Sequence, residues 1–121
     1  MMNTLYFPLQ LDSIKLIEGG IYISPLETGK LQAVKILKLD DFGAHISLYQ
    51  NQYSEFPSHI DENTLRFGKY GEDDEIFSIG HLPLSYAALA SYTLLFVQAS
   101  TINEHELEGY KIWSEAEGGY F

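Results

Sequence analysis

Residues 17–50 read IEGGIYISPLETGKLQAVKILKLDDFGAHISLYQ, and their reading decides the fold. Ile21 and Ile23 alternate with Tyr22 and Ser24, the two-residue period of a strand. Pro25 ends that run. Glu27-Thr28-Gly29-Lys30 has the composition of a turn. The next segment, Leu31 to Leu39, carries two signals. Leu31, Val34 and Leu37 are spaced by three, as on a helix, but a nine-residue segment between two turns favours a strand. Asp40-Asp41-Phe42-Gly43 forms the second turn, with Gly43 available for positive φ. Ile46 and Leu48 then alternate with His45, Ser47 and Tyr49. Three strands on short turns make an antiparallel meander, which can curl into a small barrel.

Outward from this centre the signals vary. In TLYFPLQLD (4–12), Leu5, Phe7, Leu9 and Leu11 share one face, and Pro8 restricts the segment to a sheet edge. Residues 50–75 are polar and irregular, with a short strand expected around Leu65-Arg66-Phe67. EIFSIGHLPL (75–84) reads as a strand stopped by Pro83, and Ser85 as the cap of a brief helical turn through YAALA. YTLLFVQA (92–99) is nearly all apolar and reads as a strand buried on both faces. A helix follows. Asn103 with Glu106 makes a capping box, with Thr101 and Glu104 as the rival register. Acids at 104, 106 and 108 suit the positive end of the helix dipole. Leu107, Tyr110 and Trp113 fall on one helical face. Gly109 suggests close packing on the sheet, and Gly118 or Gly119 a left-handed cap. Tyr120 and Phe121 are placed to return to the apolar surface as a strand-like clasp.

The chain of 121 residues suits one domain spanning 1–121, with no repeats and no linker. It contains no cysteine, which excludes disulfides and thiolate zinc sites and fits a reducing, cytoplasmic setting. Neither a signal peptide nor a membrane span is read from it. Seventeen acids against seven bases give a net charge of −10. Most of the excess lies after residue 60, where eleven acids face Arg66, Lys69 and Lys111. Such a surface repels phosphate backbones and speeds encounter with a basic protein. Solubility alone is the plainer account of the same charge.

The signatures of catalysis are missing. His45, His59, His81 and His105 are not at metal-ligand spacing, and HELE (105–108) has Gly109 where a zinc-protease helix needs histidine. There is no nucleophile elbow and no phosphate loop. GEDDE (71–75) lacks the spacing of a calcium loop and reads as a solvated acidic segment. Tyr49, Tyr53, Phe56 and Tyr70 could stack bases, but no basic groove accompanies them, so they read as packing residues. His81, at a strand end before Leu82 and Pro83, is a conceivable general base, with a structural histidine as the alternative.

Several stretches together resemble a known group. Gly19, Gly20, Ile21, Tyr22, Pro25, Leu26 and Gly29 are similar to the G-[DG]-I-[YF]-x-x-P-L-x-x-G core of the immunity protein 26-like group of bacterial polymorphic-toxin immunity proteins. HISLYQNQYSEFP, SIGHLPLSYAAL and ELEGYKIWSEAEGGYF look like later segments of related small bacterial proteins. The resemblance runs from about residue 15 onward, and Gly20 stands where aspartate is commoner. It implies a cytoplasmic antidote that binds a toxin domain without catalysis. An acidic binder would suit a basic, nuclease-type toxin by mimicking its phosphate substrate. No inhibitory contact is transferable residue by residue.

The expectations are therefore these. The fold is α+β, mostly β: a small antiparallel, partly barrel-like (SH3-like) sheet of about six strands with a C-terminal helix packed on it. The function is protein binding through an acidic surface, with Glu72, Asp73, Asp74 and Glu75 as partner-binding residues. No catalytic residue, metal, cofactor, nucleic acid or membrane is expected. The alternative is a small-ligand protein or enzyme using the His81 region.

Overall fold

The computed structural model describes residues 16–68 and 76–121. Five strands form one antiparallel sheet in the order β4-β3-β2-β1-β5. They are β1 (Ile21–Pro25), β2 (Leu31–Leu39), β3 (Gly43–Tyr53), β4 (Ile79–Ser85) and β5 (Leu95–Gln98). Helix α1 (Tyr86–Leu89) follows β4 directly, and α2 (Glu108–Glu115) extends a 3₁₀ turn over Glu104–Leu107. A second 3₁₀ turn covers Glu62–Thr64. The architecture is α+β and mostly β. The sheet is not closed among these residues: β4 and β5 are its outer strands. The expected strand over residues 5–11 lies outside the described residues.

The meander forms as the turns dictate. Gly29 takes a φ of 92°, which a side chain would strain, and its N–H donates to the Leu26 carbonyl to close the β1–β2 turn. Asp40 Oδ1 accepts from the Phe42 and Gly43 amides and shapes the β2–β3 turn. Positive φ is not what this turn asks of Gly43. Its lack of a side chain lets the Leu84 carbonyl and the Tyr120 ring approach. The spacing of three in β2 proves uninformative for a physical reason. Residues 32–37 are all buried, so both faces are apolar in part, and register shifts after Gln32 and Ile36 interrupt the alternation.

Several expected boundaries shift. β4 runs through Pro83 rather than stopping there, because it is an outer strand of the sheet and the missing N–H costs no ladder bond. Residues 65–67 are not a strand. They are tied to β3 by single bonds, Gln50 N–H to the Arg66 carbonyl and the Arg66 N–H to Asn51 Oδ1. The apolar run at 92–99 gives only a four-residue outer strand, with Phe96 exposed, rather than one buried on both faces. Ser85 caps α1 as expected, its side chain accepting from the Ala88 amide.

The two faces of the sheet differ in kind. One packs Tyr22, Val34, Ile36, Ala44, Ile46 and Leu48 against Leu84, Leu89 and Leu94. The opposite face carries Ile21 and Ile23 with Ile60 at one end. Along β2 and β3 the same face carries Lys35, His45 and Ser47, all buried. The 3₁₀ turn at 104–107 and α2 cover this second face.

The C-terminal segment is pinned at three levels. Glu106 Oε1 accepts from the Asn103 amide, so the Asn103 register of the capping box holds. Gly109 lies so close to the sheet that a Cβ there would come within 2.6 Å of His81 Cβ, as its tolerance in a helix suggested. The helix ends in a Schellman motif: the Glu117 amide donates to the Ser114 carbonyl and the Gly118 amide to that of Trp113. Here Glu117, not a glycine, holds the left-handed position at φ 54°. Gly118 serves instead to let the Trp113 indole lie against it. The chain then returns to β4 as expected: the Phe121 amide donates to the Pro83 carbonyl and its carbonyl accepts from Ser85 N–H, at 3.0 and 3.1 Å.

Candidate functional site

Three features meet on the polar face: a buried ion pair, a chain of imidazoles and an open cleft. Lys35 is 1% exposed in the middle of β2. Burying an ammonium is tolerable only with full compensation. Its Nζ donates to both oxygens of Glu106 at 3.0 and 3.1 Å and to the Thr101 carbonyl at 2.8 Å, with Glu62 at 3.6 Å. One lysine thus ties the sheet to the start of the terminal helix and to the 62–64 turn.

Beside it, His45 is fully buried on β3. Its Nε2 lies 3.2 Å from Asp40 Oδ2 and 3.2 Å from the Tyr120 hydroxyl, and Tyr120 in turn donates to Asp40 Oδ2. His45 Nδ1 lies 2.9 Å from His81 Nε2, the two rings being within 7° of parallel. Tyr110 and Trp113 of α2 meet the His45 ring edge-on at centroid distances of 4.7 and 4.5 Å. The apolar face of α2 that the i, i+3 spacing suggested is therefore used to roof a histidine.

The charges follow from these contacts. Burial works against ionisation of Asp40, but hydrogen bonds from Tyr120, the Phe42 amide, His45 and the Gly43 amide outweigh it and bring its carboxyl to about 2. Burial, and then the neighbouring His45, push His81 below the usual histidine value. Burial and the carboxylate at Asp40 push the Tyr120 hydroxyl well above the usual tyrosine value.

The proton positions can be assigned by elimination. An ionised carboxylate only accepts, so His45 presents Nε2–H to Asp40. Its Nδ1 is then a lone pair, and His81 must donate Nε2–H to it. That leaves His81 Nδ1 as a lone pair. This nitrogen has no hydrogen-bond partner among the described residues and lies beside Gly109 of α2, which lines the same cleft as His81.

His81 lines a cleft of about 840 Å³. Ser47, Tyr49, Ile60 and Gly80 line it on the sheet side, and Phe67 stacks on Tyr49 at 5.0 Å. The 62–64 turn contributes Asp61 and Glu62, and the start of the terminal helix contributes Glu106 and Glu108. His59 and His105 also line it.

The sequence reading meets this site in part. His81 reaches a concave cleft, as the alternative function required. Its hydrogen-bond partner is a second histidine, with the carboxylate and the tyrosine one ring further back. Glu72, Asp73, Asp74 and Glu75 lie outside the described residues. Among the described residues no three histidine or acidic side chains gather as an ion-binding group, and no helix is long and apolar enough to cross a membrane. Asp40, His45, Tyr120 and Lys35 were not anticipated. Their partners lie 5 to 80 residues apart in sequence. The available signal was one of position: Lys35, His45 and Ser47 each sit between apolar neighbours in the central part of β2 and β3. Comparison of the chain with family models, with curated proteins and with solved structures finds no match.

Proposed function

We propose that this protein is a non-catalytic binding module that takes a basic protein partner into the acidic cleft on the polar face of its sheet. The carrying observation is the charge of the cleft wall. Asp61, Glu62, Glu106 and Glu108 line it, and the buried cation nearest them, Lys35, is already held by Glu106. The surplus is negative, in a concavity where field lines are focused. The Tyr49–Phe67 stack offers an apolar bed for the methylene stem of a lysine or arginine. The immunity-protein resemblance gives the partner its most specific form, a basic toxin domain met in the cytoplasm. It also carries the SH3-like form of the sheet.

The test is calorimetric titration with the toxin domain encoded beside this gene. Binding should weaken steeply as salt rises from 50 to 500 mM (roughly the range over which the screening length falls several-fold). It should also weaken in the Asp61→Asn/Glu62→Gln/Glu108→Gln variant. A parallel variant neutralising 72–75 shows whether that segment shares the surface. Salt-independent binding, or binding indifferent to both variants, contradicts the reading, as does a neighbouring locus without a toxin-like gene.

A second reading, a small-ligand or catalytic site at His81, is favoured by the ordered Asp40–His45–His81 chain behind the cleft. It predicts a small molecule that protects the cleft from exchange without any protein partner.

A further inference from the structure

The most definite chemical feature of the cleft is the proton order behind one wall. Asp40 can only accept, and the two imidazoles pass that polarity along: acceptor, donor, acceptor, donor, acceptor. The aromatic roof of Tyr110 and Trp113 holds the His45 ring in place between them and the sheet. His81 Nδ1 is the end of this chain.

We infer that His81 Nδ1 is a recognition atom of the cleft, accepting a hydrogen bond from the guanidinium of an arginine side chain on the partner. This rests on reading the cleft as the partner-binding surface. The chemistry narrows the ligand in steps. A lone pair requires a donor. Four carboxylates line the same cleft, which disfavours an anionic ligand and favours a cation. A guanidinium presents several N–H groups in one plane, so it can bond to His81 and to a carboxylate together. It also stacks on aromatic rings, and the Tyr49–Phe67 pair lies in the same cleft. The cleft is far larger than one guanidinium, so the arginine enters as part of a chain segment.

Asp40 acts here as a positioning residue. In an Asp40→Asn variant, Oδ1 stays on the Phe42 and Gly43 amides, which places the NH₂ group against His45. His45 must then accept at Nε2 and donate at Nδ1, and His81 must accept at Nε2 and carry its proton at Nδ1. The cleft wall turns from acceptor to donor, as in catalytic triads where the same replacement traps the wrong tautomer.

Protonation of His81 has the same consequence. The groups that bear on it are His45 from β3, with Asp40 and Tyr120 behind, and Tyr110 from α2, over which Lys38 lies. His59, His105 and the four carboxylates also line the cleft.

The probe is the peptide acetyl-Gly-Gly-Arg-Gly-Gly-amide, titrated into the whole chain by NMR, with its neutral citrulline counterpart alongside. The wild type should bind the arginine peptide about tenfold more tightly than the citrulline one at pH 7.5. That preference should fall progressively as pH is lowered below the usual histidine value of about 6.5, and this pH dependence should persist in the His59→Gln/His105→Gln variant. Asp40→Asn should bind about tenfold more weakly at pH 7.5 and lose the pH dependence. If the arginine preference is intact but indifferent to pH and to Asp40→Asn, or if its pH dependence vanishes with His59 and His105, the role of His81 is overturned and the acidic cleft stands. If neither peptide binds, both ideas fall. The wild-type pH profile needs no variant, so misfolding of Asp40→Asn cannot shield the proposal.

Discussion

The two faces of this sheet solve the same burial problem by different means. On one, Val34, Ile36, Ala44, Ile46 and Leu48 meet Leu84, Leu89 and Leu94, and stability comes from apolar contact. On the other, alternate residues of the same two strands place Lys35, His45 and Ser47 under the terminal helix, and every one needs a partner. Apolar burial is tolerant of detail. A buried polar group is worth little net when satisfied and costs much when its partner is lost. The second face is therefore the expensive one to maintain, and it is also the one that opens into a cleft. That pairing is what points to function there.

The largest effect expected from breaking the polar face is at Glu106. Glu106→Ala strips Lys35 of its bidentate partner, leaving Glu62 at 3.6 Å, and should destabilise by about 3–5 kcal/mol in denaturant titration. Adding Lys35→Met should recover most of that loss, because the cost lies in the stranded charge. On the apolar face, Ile36→Ala should cost about 2–5 kcal/mol by leaving a cavity. No second-site removal of a charge should rescue it, and its cost should not depend on pH.

Deleting residues 118–121 is next in size. It removes both backbone bonds to β4, the Trp113 Nε1–H bond to the Gly119 carbonyl, and the Tyr120 hydroxyl from Asp40 and His45. The expected loss is roughly 2–3 kcal/mol, at about 1 kcal/mol for each bond net of those water replaces. A truncated chain that melts like the whole one would show the clasp to be idle.

The smallest effect, and the sharpest, is in pH. The folded state holds His81 below its usual value, so between that lowered value and about 6.5 the unfolded chain binds more protons. Stability should fall as pH drops through this window. Asp40, held at about 2, contributes stability above the ordinary carboxylate value that is lost as pH falls toward 2. Two separate acid steps are expected in melting temperature. His81→Gln should remove the upper one and Asp40→Asn the lower.

How much of this was legible in the sequence follows from range. The meander was readable because alternation and turn residues act over a few positions. The capping box at Asn103 and the clasp at Tyr120–Phe121 were readable for the same reason. Pro83 and the 92–99 run misled because their meaning depends on whether a strand is central or outer, which only the assembled sheet decides. The same holds for Gly43 and Gly118, where what matters is the group that approaches them. The site was legible only at His81. Asp40, His45 and Tyr120 each have ordinary local readings as turn, strand and tail residues. They become a chain because β3 pairs with β4 and the tail returns across Pro83.

The measurement that bears most directly on the account is long-range ¹H–¹⁵N NMR of the imidazoles in the wild type and in Asp40→Asn at pH 8. The account predicts His45 and His81 both protonated at Nε2 and bare at Nδ1 in the wild type, with both reversed in the variant. A wild type carrying the His45 proton on Nδ1, or a variant with both tautomers unchanged, would contradict it.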